Sequence, residues 1–450
     1  MRVHLVGIGG AGMSALANIY LEQGHEVTGS DMTSSYVTAR LAERGARVAI
    51  GHRAENVPAA DLVVVSTAIK DANPELQAAR ERGLPVMRRG AAAAALCKGR
   101  RQVAIAGSHG KTTTTTWVAE LLASRDPLVI NGGRLPGSLY NSRLGHGPLA
   151  VIEADESDGS YLELEPHIGV VTNVDLEHVT RYHDLDAMIE DFGRFASLSS
   201  VLVGCADDPG AVRVMEAAPG EVVTYGFSPA DVHGSGYVGA DGVCTFTVTT
   251  AAEEGELRLQ APGMHNARNA LAVVAVGERL GIGLEESLAA LERAHLPGRR
   301  LELVAEVRGV RVYDDYGHHP TEVATTLRAA REMCHGRLIC AFQPYRASRL
   351  QGLLEEFARA FTDADEVVLV PIAPPDDVPI LGVDHQLLAD AIHRADPERS
   401  VQLLDAVDDV PAYVLPRLRE GDAVICMGIG DIYRAAYIMA SEAGAPLPAL

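Results

Sequence analysis

A glycine turn between a predicted strand and a predicted helix constrains this chain more than any other feature. The segment 107–113 has the sequence Gly-Ser-His-Gly-Lys-Thr-Thr; it follows an apolar run at 103–106 and precedes a helical pattern at 114–124. In this layout, backbone N–H groups at the start of the helix bind phosphate, the lysine contacts the outer phosphates and a hydroxyl binds Mg²⁺. The pattern therefore predicts a nucleoside triphosphate site in an α/β unit.

Lys111, the lysine of this turn, supports the same interpretation. The chain has three lysines among 39 basic residues, so a lysine at this position contrasts with the general use of arginine. A compact ammonium binds phosphate as a point charge, where a forked guanidinium would not fit the same turn. Only Ser108 and His109 separate the two glycines, whereas the common motif has four residues there. The alternative is a glycine turn capped by Thr112.

Size and charge limit the class of protein. At 450 residues the chain is too long for one ordinary core, so two to four domains are expected. The net charge of −21 disfavours attraction to nucleic acid or an anionic membrane, and no apolar run is long enough to span a bilayer. Six scattered cysteines without a Cys-x-x-Cys pair suit a reducing compartment. Because the N-terminus runs directly into a strand, we expect no signal peptide and a cytoplasmic location.

Alternating strand and helix patterns divide the chain into three segments, 1–99, 100–297 and 298–450. Glycine, proline and charge breaks mark both boundaries. Such alternation is typical of parallel sheets covered by helices, so we predict an α/β fold with three domains. The predicted strands lie at 3–6, 26–29, 47–50, 62–66, 85–87, 149–153, 168–172, 310–313, 337–342, 367–370, 401–404 and 423–427, with a β-rich part at 201–259 and further helices at 13–23 and 266–280.

The first segment opens with a second glycine turn. Gly7, Gly9 and Gly12 satisfy G-x-G-x-x-G between a strand and a helix pattern, and Asp31 follows the next predicted strand. This arrangement binds a pyrophosphate at the helix N-terminus and a ribose at the carboxylate. The pattern leaves a nicotinamide dinucleotide and a sugar nucleotide open as ligands. A turn that only packs a helix is the third alternative.

Four carboxylates follow the apolar core of the predicted strand at 149–153. Glu153, Asp155, Glu156 and Asp158 fall within six residues, where they repel one another unless a cation or solvent intervenes. Ligands gather at the carboxyl ends of parallel strands, and carboxylate oxygens suit a hard cation. We therefore favour Mg²⁺ coordination with Glu153 as the leading ligand; a solvated acidic loop is the alternative.

Two other histidine-containing segments are less specific. His178 follows the predicted strand at 168–172, where it is either a second metal ligand or a structural histidine. His265 and Asn269 lie near the start of a predicted helix and are candidates to bind a planar base. In the alternative interpretation, Asn266 only caps that helix.

Two strand ends in the third segment carry candidates for substrate binding. They are Asp315, Tyr316 and His318 after one strand and Arg346 and Arg349 after the next. Two arginines three residues apart suit an anionic substrate, and a pair of surface arginines is the alternative. The adjacent histidines at 318–319 resemble zinc ligands, but no third ligand has a suitable spacing. Arg300 is a candidate for the γ-phosphate if the third domain closes on the second.

Five segments together resemble the Mur ligases, in the order expected for that family. They are GIGGAGMS at 7–14, GKTTT at 110–114, EADESD at 153–158, HNARNALA at 265–272 and DDYGHHPTE at 314–322. The resemblance covers nearly the whole chain. It implies an N-terminal Rossmann-like UDP-binding domain, a central P-loop ATPase-type α/β domain and a C-terminal Rossmann-like α/β domain that completes the amino-acid site. It also favours a UDP-sugar over a nicotinamide at the first turn.

The resemblance further implies an ATP-dependent ligase of peptidoglycan precursor synthesis. Such an enzyme would join L-alanine to the lactyl carboxylate of UDP-N-acetylmuramic acid through an acyl phosphate, using ATP and two Mg²⁺ ions. It would act as a monomer or homodimer, without nucleic acid or membrane. Ser14 and the continuation Pro320-Thr321-Glu322 favour the alanine-adding branch over the branch that recycles preformed murein peptides.

Two alternatives belong to other functional classes. An NAD(P)-dependent oxidoreductase would use the first glycine turn but would leave Lys111 and the acidic cluster without a role. A non-catalytic nucleotide-binding regulator would use both turns without turnover.

The resemblance implies four groups of site residues. The UDP-substrate group is Gly10, Ala11, Gly12, Met13, Asp31, Ser66, Thr67, Ala68 and Ile69. The ATP group is Gly107, Ser108, His109, Gly110, Lys111, Thr112, Thr113, His265, Asn269 and Arg300. The metal group is Thr112, Glu153 and His178. The amino-acid and carboxylate group is Asp315, Tyr316, His318, Arg346 and Arg349. The catalytic residues among them would be Lys111, His178, Arg300 and, as general base, His318.

Overall fold

Three sheets, one in each predicted segment, organise the chain. The structure is a computed structural model that describes residues 1–177, 181–307, 309–373, 379–442 and 444. The sheets have five, ten and six strands and alternate with helices along the chain, which confirms the predicted α/β class. Two compact units contain them: Met1–His233 with Thr249–Gly255 and Arg268–Leu291, and Gly234–Val248 with Glu256–Ala267 and Glu292–Leu450. The boundaries at 99/100 and 297/298 stay predictions.

The first sheet is parallel, with the strand order β3-β2-β1-β4-β5. Its elements are β1 (Arg2–Val6), α1 (Ala11–Glu22), β2 (Glu26–Asp31), α2 (Tyr36–Glu43), β3 (Arg47–Ile50), β4 (Leu62–Val65), α3 (Pro74–Glu81), β5 (Val86–Arg88) and α4 (Arg89–Cys97). The central strands are mostly buried because helices cover both faces of the sheet; Leu5 and Val64 are fully buried. The carboxyl ends of β1, β2 and β4 therefore lie side by side.

The second sheet carries the Lys111 turn between its first strand and first helix. Its elements are β6 (Arg101–Ala106), α5 (Lys111–Leu121), β7 (Leu128–Ile130), β8 (Ser142–Arg143), β9 (Leu149–Glu153), β10 (Pro166–Val171), α6 (Leu185–Leu198), β11 (Val201–Cys205), α7 (Pro209–Glu216), β12 (Glu221–Gly226), β13 (Val232–Ala240), β14 (Val243–Thr249), β15 (Glu254–Leu259), α8 (Met264–Arg279) and α9 (Leu284–Glu292). The boundary between the two compact units falls inside β13, β14 and β15.

Within the first unit, the strands of this sheet follow the order β12-β11-β10-β6-β9-β7-β8. β6 pairs in parallel with β10 on one side and with β9 on the other. The carboxyl ends of these three strands therefore meet at one edge. That edge brings together the turn after β6, the acidic segment after β9 and the segment after β10.

The third sheet has the order β16-β17-β21-β18-β19-β20. Its elements are β16 (Glu302–Val307), β17 (Val310–Asp315), α10 (Pro320–Arg331), β18 (Leu338–Phe342), α11 (Ala347–Gly352), α12 (Leu354–Ala360), β19 (Glu366–Leu369), α13 (His385–Ala395), β20 (Ser400–Leu403), α14 (Asp409–Val414), β21 (Ala423–Met427) and α15 (Tyr433–Glu442). Alternate residues supply two separate cores: Cys340 and Phe342 face one, and Ile339 and Ala341 face the other. The edge strand β16 is antiparallel to β17, and the other pairs are parallel.

The predicted strands agree with the observed ones to within two residues at each end. The prediction for the helix after the Lys111 turn was wrong at its start, because α5 begins at Lys111 rather than at residue 114. Strands β7, β8 and β16 were not predicted. Within the described ranges, the helices are too short or too polar to cross a bilayer.

Candidate active site

The turn before α5 is built around two glycines that no other residue could replace without strain. Gly107 has φ +135° and Gly110 has φ +81°, both in the region that side chains disfavour. A Cβ on Gly107 would overlap the hydroxyl of Thr172, and one on Gly110 would lie 2.6 Å from Oδ1 of Asn269. Gly110 is the N-cap and offers no side-chain cap, so the alternative in which Thr112 caps the turn was wrong. The first N–H groups of α5 are thus available to an anion.

The segment after β10 fixes the two residues between these glycines. The Ser108 N–H donates to the Asn173 carbonyl at 3.0 Å, and the His109 N–H donates to Asn173 Oδ1 at 2.8 Å. The Ser108 hydroxyl donates to the Asp175 carbonyl at 2.9 Å, while His109 Nε2 lies 3.0 Å from a carboxylate oxygen of Asp175. The turn is therefore held in shape from a neighbouring strand end.

Lys111 points back across the turn to a carboxylate of the acidic segment. Its ammonium donates to the Gly107 carbonyl at 2.5 Å and to Glu156 Oε1 at 2.9 Å. Burial by itself would lower the pKa of Lys111, but the charges of Glu156 and Asp155, with lesser effects of Glu177 and Glu153, raise it above its ordinary value. The side chain is therefore a fixed positive charge at the N-terminus of α5.

Glu153, the leading metal candidate, ends β9 beside Thr112. Its Oε2 accepts from the Gly132 N–H at 2.8 Å, and the Thr112 hydroxyl bonds to the same carboxylate. Burial raises the pKa of Glu153, although Lys111 and these hydrogen bonds oppose the shift. A hydroxyl and a half-buried carboxylate in contact are a donor set that a hard divalent cation would fit. The third predicted ligand, His178, lies outside the described residues.

The remaining acidic side chains are paired with an arginine that sequence reasoning missed. Arg89 Nη2 lies 2.9 Å from Asp155 Oδ2 and 2.5 Å from Asp158 Oδ2. Burial would raise the pKa of Asp155, but Arg89 and Lys111 lower it below its ordinary value. Carboxylates still outnumber cations around this turn, which favours a site for a divalent cation over a solvated acidic loop.

The first glycine turn brings together the predicted UDP-substrate residues. The Gly9 N–H donates to Asp31 Oδ2 at 2.8 Å. A Cβ on Gly7 would lie 3.1 Å from the Ser66 side chain and 3.8 Å from that of Ile69. Helix α1 has Gly10 as its N-cap, without a side-chain hydrogen bond and without acidic residues in its first turn. The other members of the group are Ala11, Gly12 and buried Met13 on α1, and exposed Thr67 and Ala68 between Ser66 and Ile69.

In the second unit, the end of β17 gathers the predicted amino-acid residues. Asp315 accepts from the Gly317 and Leu301 N–H groups at 2.7 Å each. Burial raises the pKa of Asp315, and Arg300 opposes that shift. Burial raises the pKa of Tyr316 to about 12, against the lowering effect of two neighbouring arginines. The Arg300 guanidinium lies 5.5 Å from the centre of the Tyr316 ring.

His318 and Arg346 extend this group. The His318 and Tyr316 rings meet edge to face with centroids 5.7 Å apart, and the His318 and Tyr345 ring centroids are 6.4 Å apart. The Arg346 guanidinium lies 5.4 Å from the centre of the Tyr345 ring. Arg349 is buried on α11, three residues after the N-cap Arg346.

The two histidines of the 318–319 pair have separate environments. His318 Nδ1 lies 3.0 Å from the Tyr316 carbonyl, whereas the His319 ring accepts from the Thr321 N–H and forms a capping box with Glu322 at the start of α10. His319 thus caps α10 through Nδ1, and the prediction that this pair is not a zinc site stays a prediction.

The two units divide the predicted residues. The first contains Lys111, Thr112, Glu153 and Asn269, which lie around the Lys111 turn, together with all the UDP-substrate candidates. The second contains His265 at the start of α8 and the group around Tyr316. Sequence reasoning missed the pairing of Glu156 with Lys111 and the role of Arg89; the pairs are 45 and 69 residues apart, so no local pattern marks them.

Comparisons with known proteins agree with this arrangement. The family profiles "Mur ligase family, catalytic domain", "Mur ligase middle domain" and "Mur ligase, glutamate ligase domain" match residues 2–101, 105–277 and 299–430. The UDP-N-acetylmuramate–L-alanine ligase of Desulfatibacillum aliphaticivorans is 43% identical over 449 residues, covering 96% of each chain.

Two solved structures share the fold along the whole chain. A UDP-N-acetylmuramate-alanine ligase from Thermotoga maritima aligns with a TM-score of 0.85 and 28% identity over 98% of this chain and 99% of the other. A murein peptide ligase from Psychrobacter arcticus aligns with a TM-score of 0.75 and 25% identity over 100% of both chains. The resemblance drawn from the sequence is thus confirmed, and this three-domain α/β chain belongs to the Mur ligase family of ATP-dependent ligases.

Proposed function

We propose that this chain joins L-alanine to the lactyl carboxylate of UDP-N-acetylmuramic acid at the expense of ATP. The observation that carries the proposal is the likeness, along 96% of the chain, to a protein named UDP-N-acetylmuramate–L-alanine ligase. The reaction belongs to peptidoglycan precursor synthesis, and we place it in the cytoplasm, where ATP is available. The site geometry supports a chemical role for each substrate.

The first step transfers a phosphoryl group between two anions. The lactyl carboxylate attacks the γ-phosphorus of ATP, the bond from that phosphorus to the β,γ-bridging oxygen breaks, and ADP and an acyl phosphate result. Against the effect of burial, the neighbouring carboxylates raise the pKa of Lys111, so its ammonium would stay charged at neutral pH and offset the repulsion between the anions. The N–H groups of Gly110 and of the first turn of α5 would hold the outer phosphates.

Thr112 and Glu153 are the described residues that would hold Mg²⁺, and His178 is proposed as a further ligand. When bound, Mg²⁺ neutralises charge on the phosphoryl oxygens. Ser108 and His109 position the turn through the Asn173 and Asp175 contacts. Asn269 abuts Gly110, and we propose with His265 that it contacts the adenine; the proposed contact of Arg300 with the γ-phosphate rests on the family resemblance.

The sugar nucleotide would bind at the first glycine turn. Gly10, Ala11 and Gly12 start α1 without a side-chain cap, so their backbone suits the pyrophosphate. Asp31 and the segment from Ser66 to Ile69 are proposed around the uridine. This assignment leaves no role for a nicotinamide.

The second step needs a neutral amine. L-alanine carries an ammonium at neutral pH, so a base must take its proton before the nitrogen attacks the acyl carbon and phosphate leaves. The Tyr316 carbonyl can only accept a hydrogen bond, so it favours the His318 tautomer with the proton on Nδ1 and the lone pair on Nε2. We propose His318 as this base, with Arg346, Arg349 and Asp315 binding the carboxylate and amine of the amino acid.

The proposal is tested by measuring ADP formation with UDP-N-acetylmuramic acid and one acceptor at a time. We expect turnover with L-alanine, less with glycine or L-serine, and none when either UDP-N-acetylmuramic acid or the acceptor is left out. ADP formation that does not depend on the sugar nucleotide would contradict the proposal.

A peptide-recycling ligase of the same family is the second candidate. The likeness to a murein peptide ligase favours it, although that TM-score is 0.75 against 0.85 for the alanine ligase. A tripeptide acceptor in the same assay separates the two candidates. A tripeptide used in preference to L-alanine would establish the recycling activity.

A further inference from the structure

Arg89, the first residue of α4, anchors the acidic segment after β9. Its Nη2 donates to Asp155 Oδ2 at 2.9 Å, to Asp158 Oδ2 at 2.5 Å and to the Ser160 hydroxyl at 3.3 Å. The Arg89 and Asp158 side chains are 18% and 9% exposed, so water screens this ion pair only partly. One guanidinium nitrogen thus holds three side chains of the loop.

The same guanidinium packs against the first glycine turn. A Cβ placed on Gly12 would lie 2.7 Å from Nη1 and 2.8 Å from Cδ of Arg89. Arg89 therefore packs against the backbone of the first turn of α1, where a Cβ on residue 12 would displace it. On one side it contacts the proposed pyrophosphate site, and on the other it contacts the loop that follows Glu153 and contains Glu156.

Gly90, the next residue, allows the start of α4 to pack closely against Ser160. It is buried, and a Cβ on it would overlap the Ser160 side chain. Ser160 begins a short 3-10 turn, Ser160–Glu163, that closes the acidic segment. The start of α4 and this turn therefore fit together only because residue 90 has no side chain.

A continuous set of charges runs from Arg89 to the triphosphate turn. Arg89 pairs with Asp155, Asp155 acts on Lys111, and Lys111 pairs with Glu156. Removal of Arg89 would leave Asp155 and Asp158 to repel each other and Glu153. The loop would then move toward solvent, and Glu153 would leave its position beside Thr112.

We infer that Arg89 is a positioning residue that couples the sugar-nucleotide site to the ATP site. The inference rests on the proposed function. A pyrophosphate at the start of α1 would fix the guanidinium that lies on Gly12, and the guanidinium would order the acidic loop. A nucleotide binding afterwards would meet an ordered loop and would lose less conformational entropy. Each ligand therefore tightens the other by the same factor.

The test measures this factor by calorimetry on the whole protein. The affinity for a non-hydrolysable ATP analogue with Mg²⁺ is determined with and without saturating UDP-N-acetylmuramic acid. We expect the wild type to bind the analogue at least about fivefold more tightly when the sugar nucleotide is present. In Arg89→Ala each ligand alone should still bind. The ratio of the two affinities for the ATP analogue, with and without the sugar nucleotide, should fall to near one.

Two further variants keep the test decisive if Arg89→Ala folds poorly. Asp158→Asn retains the acceptor of the Ser160 N–H but removes the charge that Arg89 faces, and Gly90→Ala separates α4 from Ser160 by bulk. Both should lower the ratio, and Arg89→Lys should restore it in part. Arg47→Ala, which removes an exposed arginine of the same sheet, should keep the wild-type ratio.

The outcomes separate the coupling from the proposed function. A wild type that ligates L-alanine but shows no mutual tightening would overturn the inference alone, as would an Arg89→Ala protein with the wild-type ratio. A purely structural role would weaken both ligands together and leave the ratio unchanged, which would also overturn it. A wild type that does not bind UDP-N-acetylmuramic acid would overturn both proposals.

Discussion

A single ammonium, that of Lys111, carries the proposed contact with the terminal phosphates. We expect Lys111→Ala to lower kcat by ~100- to 1,000-fold or more, because a preorganised charge on the transferring group is lost. Binding of UDP-N-acetylmuramic acid should persist, since its proposed site lies on the first sheet. Phosphate release measures the first effect and calorimetry the second; wild-type turnover in the variant would contradict the assignment.

Lys111 forms an ion pair with Glu156, so Lys111→Ala affects stability as well as activity and needs a control for stability. Glu156 is fully buried, so loss of the Lys111 charge that faces it destabilises the fold by roughly 3–5 kcal/mol. Lys111→Met combined with Glu156→Gln removes both charges and should fold while remaining inactive. Lys98→Ala changes an exposed lysine and should keep full activity.

Residues were predictable from the sequence where a buried strand ends in an unusual side chain. Glu153 and Asp31 end strands and satisfy that condition, and Lys111 follows the glycine turn after β6; parallel strands bring such positions to one edge of each sheet. The pairings of Lys111 with Glu156 and of Arg89 with Asp158 depend on how distant segments pack. Propensity and periodicity carry no information about such contacts.

Among the elements, β1, β2 and α3 are joined by a buried polar network centred on Glu75. Its carboxylate accepts from His4 Nε2 at 2.9 Å, from the Ser30 hydroxyl at 2.7 Å and from Asn56 Nδ2 at 2.9 Å, and His52 Nδ1 lies 3.2 Å away. Burial would raise the pKa of Glu75, but hydrogen bonds from His4, Asn56 and Ser30 lower it to about 2. The ionised carboxylate thus stabilises the contact between sheet and helix.

The low pKa of Glu75 predicts that its contribution to the stability of the first sheet is lost in acid. A carboxyl group whose pKa is lowered on folding stabilises the fold above its unfolded pKa of 4.5, and the effect is lost as pH falls toward 2. We expect Glu75→Gln to reduce the free energy of unfolding by about 3 kcal/mol at pH 7. The difference should shrink below pH 4.5, as measured by urea unfolding at several pH values.

Glu81→Gln is the matched control, since Glu81 is an exposed residue at the end of the same helix. It should unfold like the wild type at every pH. A deficit of Glu75→Gln that stays constant down to pH 3 would show that the ionisation of Glu75 does not stabilise the sheet.

There are physical reasons why sequence patterns predicted some elements and missed others. Buried strands such as β6 and β9 were predictable because both faces are covered and the apolar run is unbroken. The start of α5 was missed because the glycine turn, and not helix propensity, decides where this helix begins. Strand β16 lies at a sheet edge and includes Glu302 and Glu306, so its apolar run is short.

At long range, the net negative charge of the whole molecule repels its two proposed anionic substrates. A chain of net charge −21 repels ATP and UDP-N-acetylmuramic acid, both anions, and depends on local groups such as Lys111 to bind them. Salt screens exposed charges beyond about 30 Å at 0.01 M and beyond about 8 Å at 0.15 M. The long-range repulsion should therefore weaken with salt while the contacts inside the site persist.

We accordingly expect kcat/KM for ATP and for the sugar nucleotide to rise severalfold between about 0.01 and 0.15 M ionic strength. Steady-state ADP formation at constant free Mg²⁺ measures this rise. L-alanine has no net charge at neutral pH, so its kcat/KM at saturating ATP and sugar nucleotide is the internal control and should change little. A fall for the two anions would mean that the cations at the turns, Lys111 and Arg89 among them, dominate the field that an approaching nucleotide meets.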